Sequence, residues 1–85
     1  MFHFVFKQSA ARTLEKLPRR VRARILKKIR FYTEQKNPLE FTERLTDSTV
    51  GQWRFRIGNY RVIFDVLKDK IIILKVGHRR DIYRQ

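Results

Sequence analysis

The apolar residues change period twice along the chain. Residues 2–6, "FHFVF", are short and β-rich and read as a first strand. In 9–17, "SAARTLEKL", Leu14 and Leu17 fall three apart on one helical face, with Ser9 as the expected N-cap. Pro18 interrupts, and proline suits the first turn of a new helix. Over 19–35, Val21, Ile25, Ile29 and Tyr32 keep helical spacing. The remaining faces of that segment carry Arg20, Arg24, Lys27, Lys28 and Arg30 and read as solvated. Together the two segments predict a helical hairpin with one apolar seam. Residues 37–51 show no period and contain Pro38 and Gly51; they form the longest connection, and long loops in small domains are often functional. Strand patterns follow at 52–57, 60–66 and 70–76, then the tail "GHRRDIYRQ". The order βααβββ is an α+β pattern. It predicts a helical hairpin packed on one face of a mainly antiparallel four-stranded sheet, a single domain over 1–85.

The segment 54–64, "RFRIGNYRVIF", carries most of the chemistry. Gly58-Asn59 suits a two-residue hairpin loop. With that loop Ile57 faces Tyr60, Phe55 faces Val62 and Trp53 faces Phe64, so one face is wholly apolar or aromatic and must meet the helices. Alternation sends Arg54, Arg56 and Arg61 to the other face, with Arg56 opposite Arg61. Like charges directly opposite destabilise a sheet, so a polyanion is the expected ligand. The next strand is apolar at every position from Ile71 to Leu74, which predicts an apolar floor of Ile63, Ile72 and Leu74 beneath the arginines. Phosphates would take the cations and a base would lie on the floor. If the tail folds over the same face, His78, Arg79, Arg80 and Tyr83 join it.

Charge strengthens this picture. Twenty-one Lys and Arg stand against eight Asp and Glu, a net charge of +13 and a pI near 11.2. Nucleic acid is the leading partner, with an anionic membrane surface or an acidic protein as the others. The 42% hydrophobic content is enough for a core and argues against a disordered basic tail. Cysteine is absent, which excludes disulfides, thiolate metal sites and a cysteine nucleophile. No apolar run reaches the length of a membrane span, and "MFHFVFKQS" lacks the pattern of a signal peptide. A cytoplasmic protein is therefore expected. His3, in an alternating strand, reads as structural. His78 is open between a tail residue and a site residue; an imidazole's ordinary pKa suits acid–base work. Tyr32 and Tyr60 read as core, while Tyr83 lies in a polar tail.

"WRFRIGNYRVIFDV" followed by "IIILKVGHRRDIYR" resembles the RelE/ParE superfamily of toxins from type II toxin–antitoxin modules. The shared pattern is a basic hairpin ending in (D/N)YR(V/L)I(F/Y), an apolar strand, VGHR and a closing tyrosine. The preceding βαα segment with its Leu-Pro break fits as well, so the resemblance spans nearly the whole chain. It implies a microbial-ribonuclease-like fold and chemistry without metal or other cofactor. RelE-type members cut mRNA in the ribosomal A site by attack of the ribose 2′-OH on the adjacent phosphate. Carried over by position, Arg54 and Arg56 match the basic pair on the second strand. Arg61 matches the arginine that stabilises the phosphorane-like transition state, Arg79 the basic residue near the leaving oxygen, and Tyr83 the C-terminal tyrosine; Arg80 adds substrate-binding charge.

Two departures bear on mechanism. RelE has lysines where this chain has Arg54 and Arg56, and an arginine cannot give up its proton to serve as a base. The base is then another group: Glu43, whose loop position resembles the glutamate of the YoeB branch, or His78. The tail between Arg79 and Tyr83 is also shorter than in RelE. ParE-like members, which inhibit DNA gyrase and cut no RNA, generally lack the full basic-plus-Tyr set. A plain nucleic-acid-binding module is the reading from another class, although no helix-turn-helix, zinc or RNP-type signature is present. The resemblance further implies an acidic RelB-like antitoxin as partner, mRNA and the 16S rRNA of the ribosomal A site as targets, and operator DNA reached only through the antitoxin complex. It implies no membrane partner.

Overall fold

The computed structural model describes residues 2–46 and 49–83. Its elements are β1 (His3–Phe6), α1 (Gln8–Lys16), α2 (Arg19–Thr33), a 3₁₀ turn (Pro38–Phe41), β2 (Glu43–Arg44), β3 (Trp53–Ile57), β4 (Tyr60–Leu67) and β5 (Lys70–His78). The sheet has five strands in the order β1-β5-β4-β3-β2, antiparallel except for the parallel β1–β5 edge. The α+β architecture with both helices over one sheet face holds, but the sheet gains a strand. Two residues cannot show a period, so β2 lay hidden in the unpatterned connection.

The hairpin register is the one that alternation predicts: Trp53 pairs with Phe64, Phe55 with Val62, Arg56 with Arg61 and Ile57 with Tyr60. Gly58 takes a positive φ of 59° and Asn59 does not, the signature of a type II′ turn. On the helix side, Phe55, Ile57, Val62 and Phe64 bury against Ala10, Leu14, Ile25 and Ile29. Each such side chain contributes roughly 1.5–3 kcal/mol relative to exposure. An aromatic stack fixes β3: Phe64 on Phe55 at 4.5 Å, Phe55 on Tyr32 at 4.8 Å, Tyr32 on Phe41 at 5.2 Å between centroids. With Phe55 locked inward, its neighbours Arg54 and Arg56 have to point outward.

β5 explains how an all-apolar run serves one core. Ile63 pairs with Lys75 while Phe64 pairs with Ile73, so Leu74 is the extra residue of a β-bulge. The bulge resets the alternation: Ile71 and Ile73 before it, and Val76 after it, all reach the core. It also puts Gly77 opposite Arg61 and His78 opposite Tyr60.

Several local expectations change. Ser9 is not the cap of α1; Lys7 holds that position with no side-chain cap, and Ser9 lies within the first turn. The Lys7 N–H still bonds Ile73 O at 2.8 Å, so the chain passes from the β1 ladder into the helix without a linker in which Ser9 could cap. Pro18 is the N-cap of α2 rather than its first residue, and α2 closes at Thr33. β5 runs on to His78, so Gly77 and His78 belong to a strand and not to the tail. The apolar floor is already covered: Ile63 is fully buried, and a methyl group on Gly51 would sit 2.8 Å from Ile63 Cγ2 and 3.0 Å from Leu74 Cδ1. The connection before β3 therefore takes the space proposed for a base. Asp65 Oδ1 holds that segment by accepting from Gln52 N at 2.8 Å.

Candidate functional site

Arg54, Arg56 and Arg61 lie together on the sheet face away from the helices, as their alternation requires. Arg61 is 8% exposed. Its Nη1 donates to the carbonyls of Gly58 and Tyr60, both at 2.9 Å, so the hairpin's own turn clamps the guanidinium. Burial, followed by the charges of Arg56, Arg54 and Arg79, pushes its pKa down from the ordinary arginine value, and only Tyr83 acts the other way. A guanidinium with three cationic neighbours is an unsatisfied electrostatic site, and an anion placed there relieves the repulsion.

Glu43 enters this cluster through β2. Arg44 pairs across from Trp53 and holds its guanidinium 5.0 Å from the indole centroid. Alternation then turns Glu43, paired with Arg54, toward the arginine face. Its Oε2 lies 3.2 Å from Arg54 Nη2 and its Oε1 3.6 Å from Arg56 Nε. The second separation exceeds hydrogen-bond range, and Oε1 is buried with no hydrogen-bond partner. Oε2 thus lies close against Arg54, while Oε1 is ion-paired with Arg56 without a hydrogen bond.

The tail does fold over this face, and Gly77 lets it. Opposite Arg61 a side chain would project into the site; at Gly77 a methyl group would meet Ile82 Cδ1 at 3.2 Å. Ile82, 1% exposed, fills that place, and the N–H groups of Asp81 and Ile82 both donate to His78 O at 2.9 Å. The next residue, Tyr83, brings its hydroxyl into a hydrogen bond from Arg54, whose Cζ stands 5.9 Å from the phenol ring. Burial works against the Arg54 cation, but hydrogen bonds to Tyr83 and Glu43 outweigh it and raise its pKa above the ordinary value. Arg79 stands at the same end, its N–H donating to Asn59 O at 2.7 Å.

His78 does not join the cluster. Paired with Tyr60 and packed edge-on against its ring at 5.4 Å, it lies on the helix side of the sheet, while Arg61 points to the other. Its Nδ1 accepts from the Arg80 N–H at 3.1 Å. Exposed Arg80 borders the same recess as His78, with Thr13, Leu17 and Ile82, and is not among the charges that act on Arg61. Of the residues singled out in sequence, Glu43, Arg54, Arg56, Arg61, Arg79 and Tyr83 converge; His78 and Arg80 stand apart. Sequence reasoning passed over Gly77 and Ile82, although Ile82 is the lone aliphatic residue in a polar tail. Among the described residues, no group of three or more His, Asp and Glu could hold a metal ion.

Comparison with known proteins agrees with this architecture. Residues 4–83 match the family model of the ParE toxin of the type II toxin–antitoxin system parDE. Toxin RelG of Mycobacterium tuberculosis is 33% identical over 82 residues, covering 94% of this chain and 93% of that protein. The crystal structure of the toxin–antitoxin complex RelBE2 from Mycobacterium tuberculosis superposes with a TM-score of 0.75 at 29% identity, over 92% of this chain and 98% of that one. The archaeal RelE–RelB complex from Pyrococcus horikoshii gives 0.71 at 26%, over 94% and 97%. Both structural neighbours are toxins bound to antitoxins. On the family match across nearly its whole length, the chain belongs to the RelE/ParE superfamily of type II toxin–antitoxin toxins.

Proposed function

We propose that this toxin is a ribosome-dependent endoribonuclease that cleaves mRNA in the A site, working in the cytoplasm and held in check by an acidic RelB-type antitoxin. The observation that carries the reading is the convergence of four arginines, one carboxylate and one phenol on a single sheet face. Glu43 Oε1, which carries no hydrogen bond, takes the proton from the ribose 2′-OH. The 2′-oxygen bonds to phosphorus, and the bond to the 5′-oxygen breaks. Arg61, clamped by its own turn, faces the charge that builds on the phosphoryl oxygens, so no reorganisation is needed as it forms. Arg54 and Arg56 hold the phosphate, drawing Arg56 away from Glu43; its side chain is 61% exposed and free to follow. Arg79 neutralises the leaving oxygen, which takes its proton from water. Tyr83, fixed by Arg54, presents a ring for the neighbouring base in place of the covered apolar floor. The products are a 2′,3′-cyclic phosphate and a 5′-hydroxyl. The antitoxin reading rests on the solved neighbours, each a toxin–antitoxin complex, and on the +13 charge; operator DNA is reached through that complex.

The test is to add the purified chain to programmed ribosomes and, separately, to naked mRNA, and to map the cut sites. Cleavage confined to A-site codons on ribosomes is the expected result. The match to a family model named for ParE favours one second reading, inhibition of DNA gyrase. Loss of supercoiling activity with intact mRNA in both settings would establish that reading instead.

A further inference from the structure

Arg24 lies on α2, away from the arginine face, yet it reaches the same hairpin. A methyl group on Gly58 would stand 2.9 Å from its Nη1, 3.1 Å from its Cζ and 3.2 Å from its Nη2, so the guanidinium lies flat on the turn glycine. The carbonyl of that glycine accepts from Arg61 at 2.9 Å, and the next carbonyl, of Asn59, accepts from the Arg79 N–H at 2.7 Å. Arginines of both faces therefore meet at one turn. From Arg24 the charge continues along α2. Lys27 and Lys28 follow at i+3 and i+4 and Phe31 at i+7, which places the four on one helix face. They line a groove of about 320 Å³. The three cations are exposed, and none of Arg24, Lys27 and Lys28 forms an ion pair with a carboxylate among the described residues. Phe31 is 51% exposed although its edge contacts, to Tyr32 at 5.8 Å and Phe41 at 6.2 Å, fix its ring.

From this juxtaposition we infer that the α2 groove is a second RNA-contact surface, taking the phosphodiester backbone of the same strand that is seated on the arginine face as it passes round the β3–β4 turn. The inference rests on the proposed nuclease reading. Three unpaired cations in a row match successive phosphates, and an immobilised exposed ring beside them matches a base, the two features of sequence-tolerant single-strand binding. Continuity with the arginine face through Gly58 favours RNA over an acidic protein, which would not need its charge track to end at the cleavage site. Arg24 lies beside the turn and here adds a phosphate contact outside the reacting atoms.

The experiment uses two oligoribonucleotides of one sequence, a trinucleotide that fills only the arginine face and a decanucleotide, each with a 2′-deoxy residue at the scissile position to block cleavage. Affinities are measured at several salt concentrations for the wild-type protein and for R24Q/K27A/K28A, a variant changed only at exposed positions. The wild type should gain affinity with length. The variant should lose that gain by about tenfold at low salt and lower the salt slope for the decanucleotide by about 2, three phosphates at about 0.7 each. Its trinucleotide affinity should stay unchanged. An intact length gain in the variant, or no length gain in the wild type, would overturn the inference. So would a variant that keeps the gain but loses binding to an acidic polyglutamate peptide, which would mark the groove as a protein-docking face. Arg61→Ala run beside it separates the two readings: ribosomal cleavage lost with the length gain retained leaves both standing. A wild type with the length gain but no ribosomal cleavage overturns the nuclease reading alone.

Discussion

At the scale of single residues, Arg61 and Glu43 carry unequal kinds of work. Arg61 is buried, clamped at two carbonyls and surrounded by like charge, and the proposed mechanism sets it against a developing negative charge. Arg61→Ala should lower ribosomal cleavage about 10²–10³-fold, the usual cost of removing one preorganised donor, with ribosome binding retained in a pelleting assay. Glu43→Gln keeps the shape of the side chain and removes the proposed base. It should lower the rate about 10²-fold or more, whereas His78→Gln, on the other side of the sheet, should leave the rate within about threefold of wild type. A rate collapse in His78→Gln with full activity in Glu43→Gln would reverse the assignment. The three arginines of the hairpin were legible in the sequence because strand alternation is strict and the Gly-Asn turn fixes the register. Glu43 was legible only through family resemblance, and His78 was left open because the β5 bulge that sets its face leaves no mark in an all-apolar run.

At the scale of elements, the site depends on two short pieces that periodicity cannot see. β2 is two residues long, held by the Arg44–Trp53 contact and by the pairing of Glu43 with Arg54. The C-terminal turn is held by Ile82 in the space over Gly77. Ile82→Ala removes that anchor. Deletion of a buried isoleucine side chain costs about 2–5 kcal/mol, but here the loss should appear as local opening. The Ile82 amide, bonded to His78 O, should exchange faster while the β3–β4 amides stay protected. Cleavage should fall to the level of Tyr83→Ala, because the phenol no longer rests on Arg54. Equal acceleration at all amides would show instead that the turn is part of the global core. The covered floor has the same origin: that Gly51 packs on Ile63 and Leu74 is a tertiary contact from an unpatterned connection, and it shifts the expected base contact from the sheet to Tyr83. The hairpin turn meets two demands at Gly58, a positive φ and the guanidinium of Arg24. Gly58→Ala should therefore cost about 1–3 kcal/mol in strain, or roughly 4–8 °C of melting temperature per kcal/mol in a domain of this size.

At the scale of the whole molecule, a charge of +13 on 85 residues opposes compaction. The melting temperature should rise with added salt as that repulsion is screened; a fall, or no change between low and physiological ionic strength, would show that the charges are already neutralised within the fold. Under the proposed function the same charge would account for an acidic antitoxin and an RNA target together: both would relieve the repulsion, and bound antitoxin would withhold that relief from RNA. Composition pointed to an anionic partner, and the pattern of strands and helices made the fold class legible. The convergence of β2, the hairpin and the tail was not, since it depends on contacts between segments far apart in sequence. Chemistry on that face is the central claim, and a single atom of the substrate tests it. Programmed ribosomes would carry mRNA with either ribose or 2′-deoxyribose at the nucleotide whose 2′-oxygen is to attack, and the cut ends would be analysed. Cleavage of the ribose message alone, with a 2′,3′-cyclic phosphate on one fragment and a 5′-hydroxyl on the other and none from Arg61→Ala, is the expected result. Equal cleavage of both messages, or cleavage of neither by the wild-type protein, would contradict it.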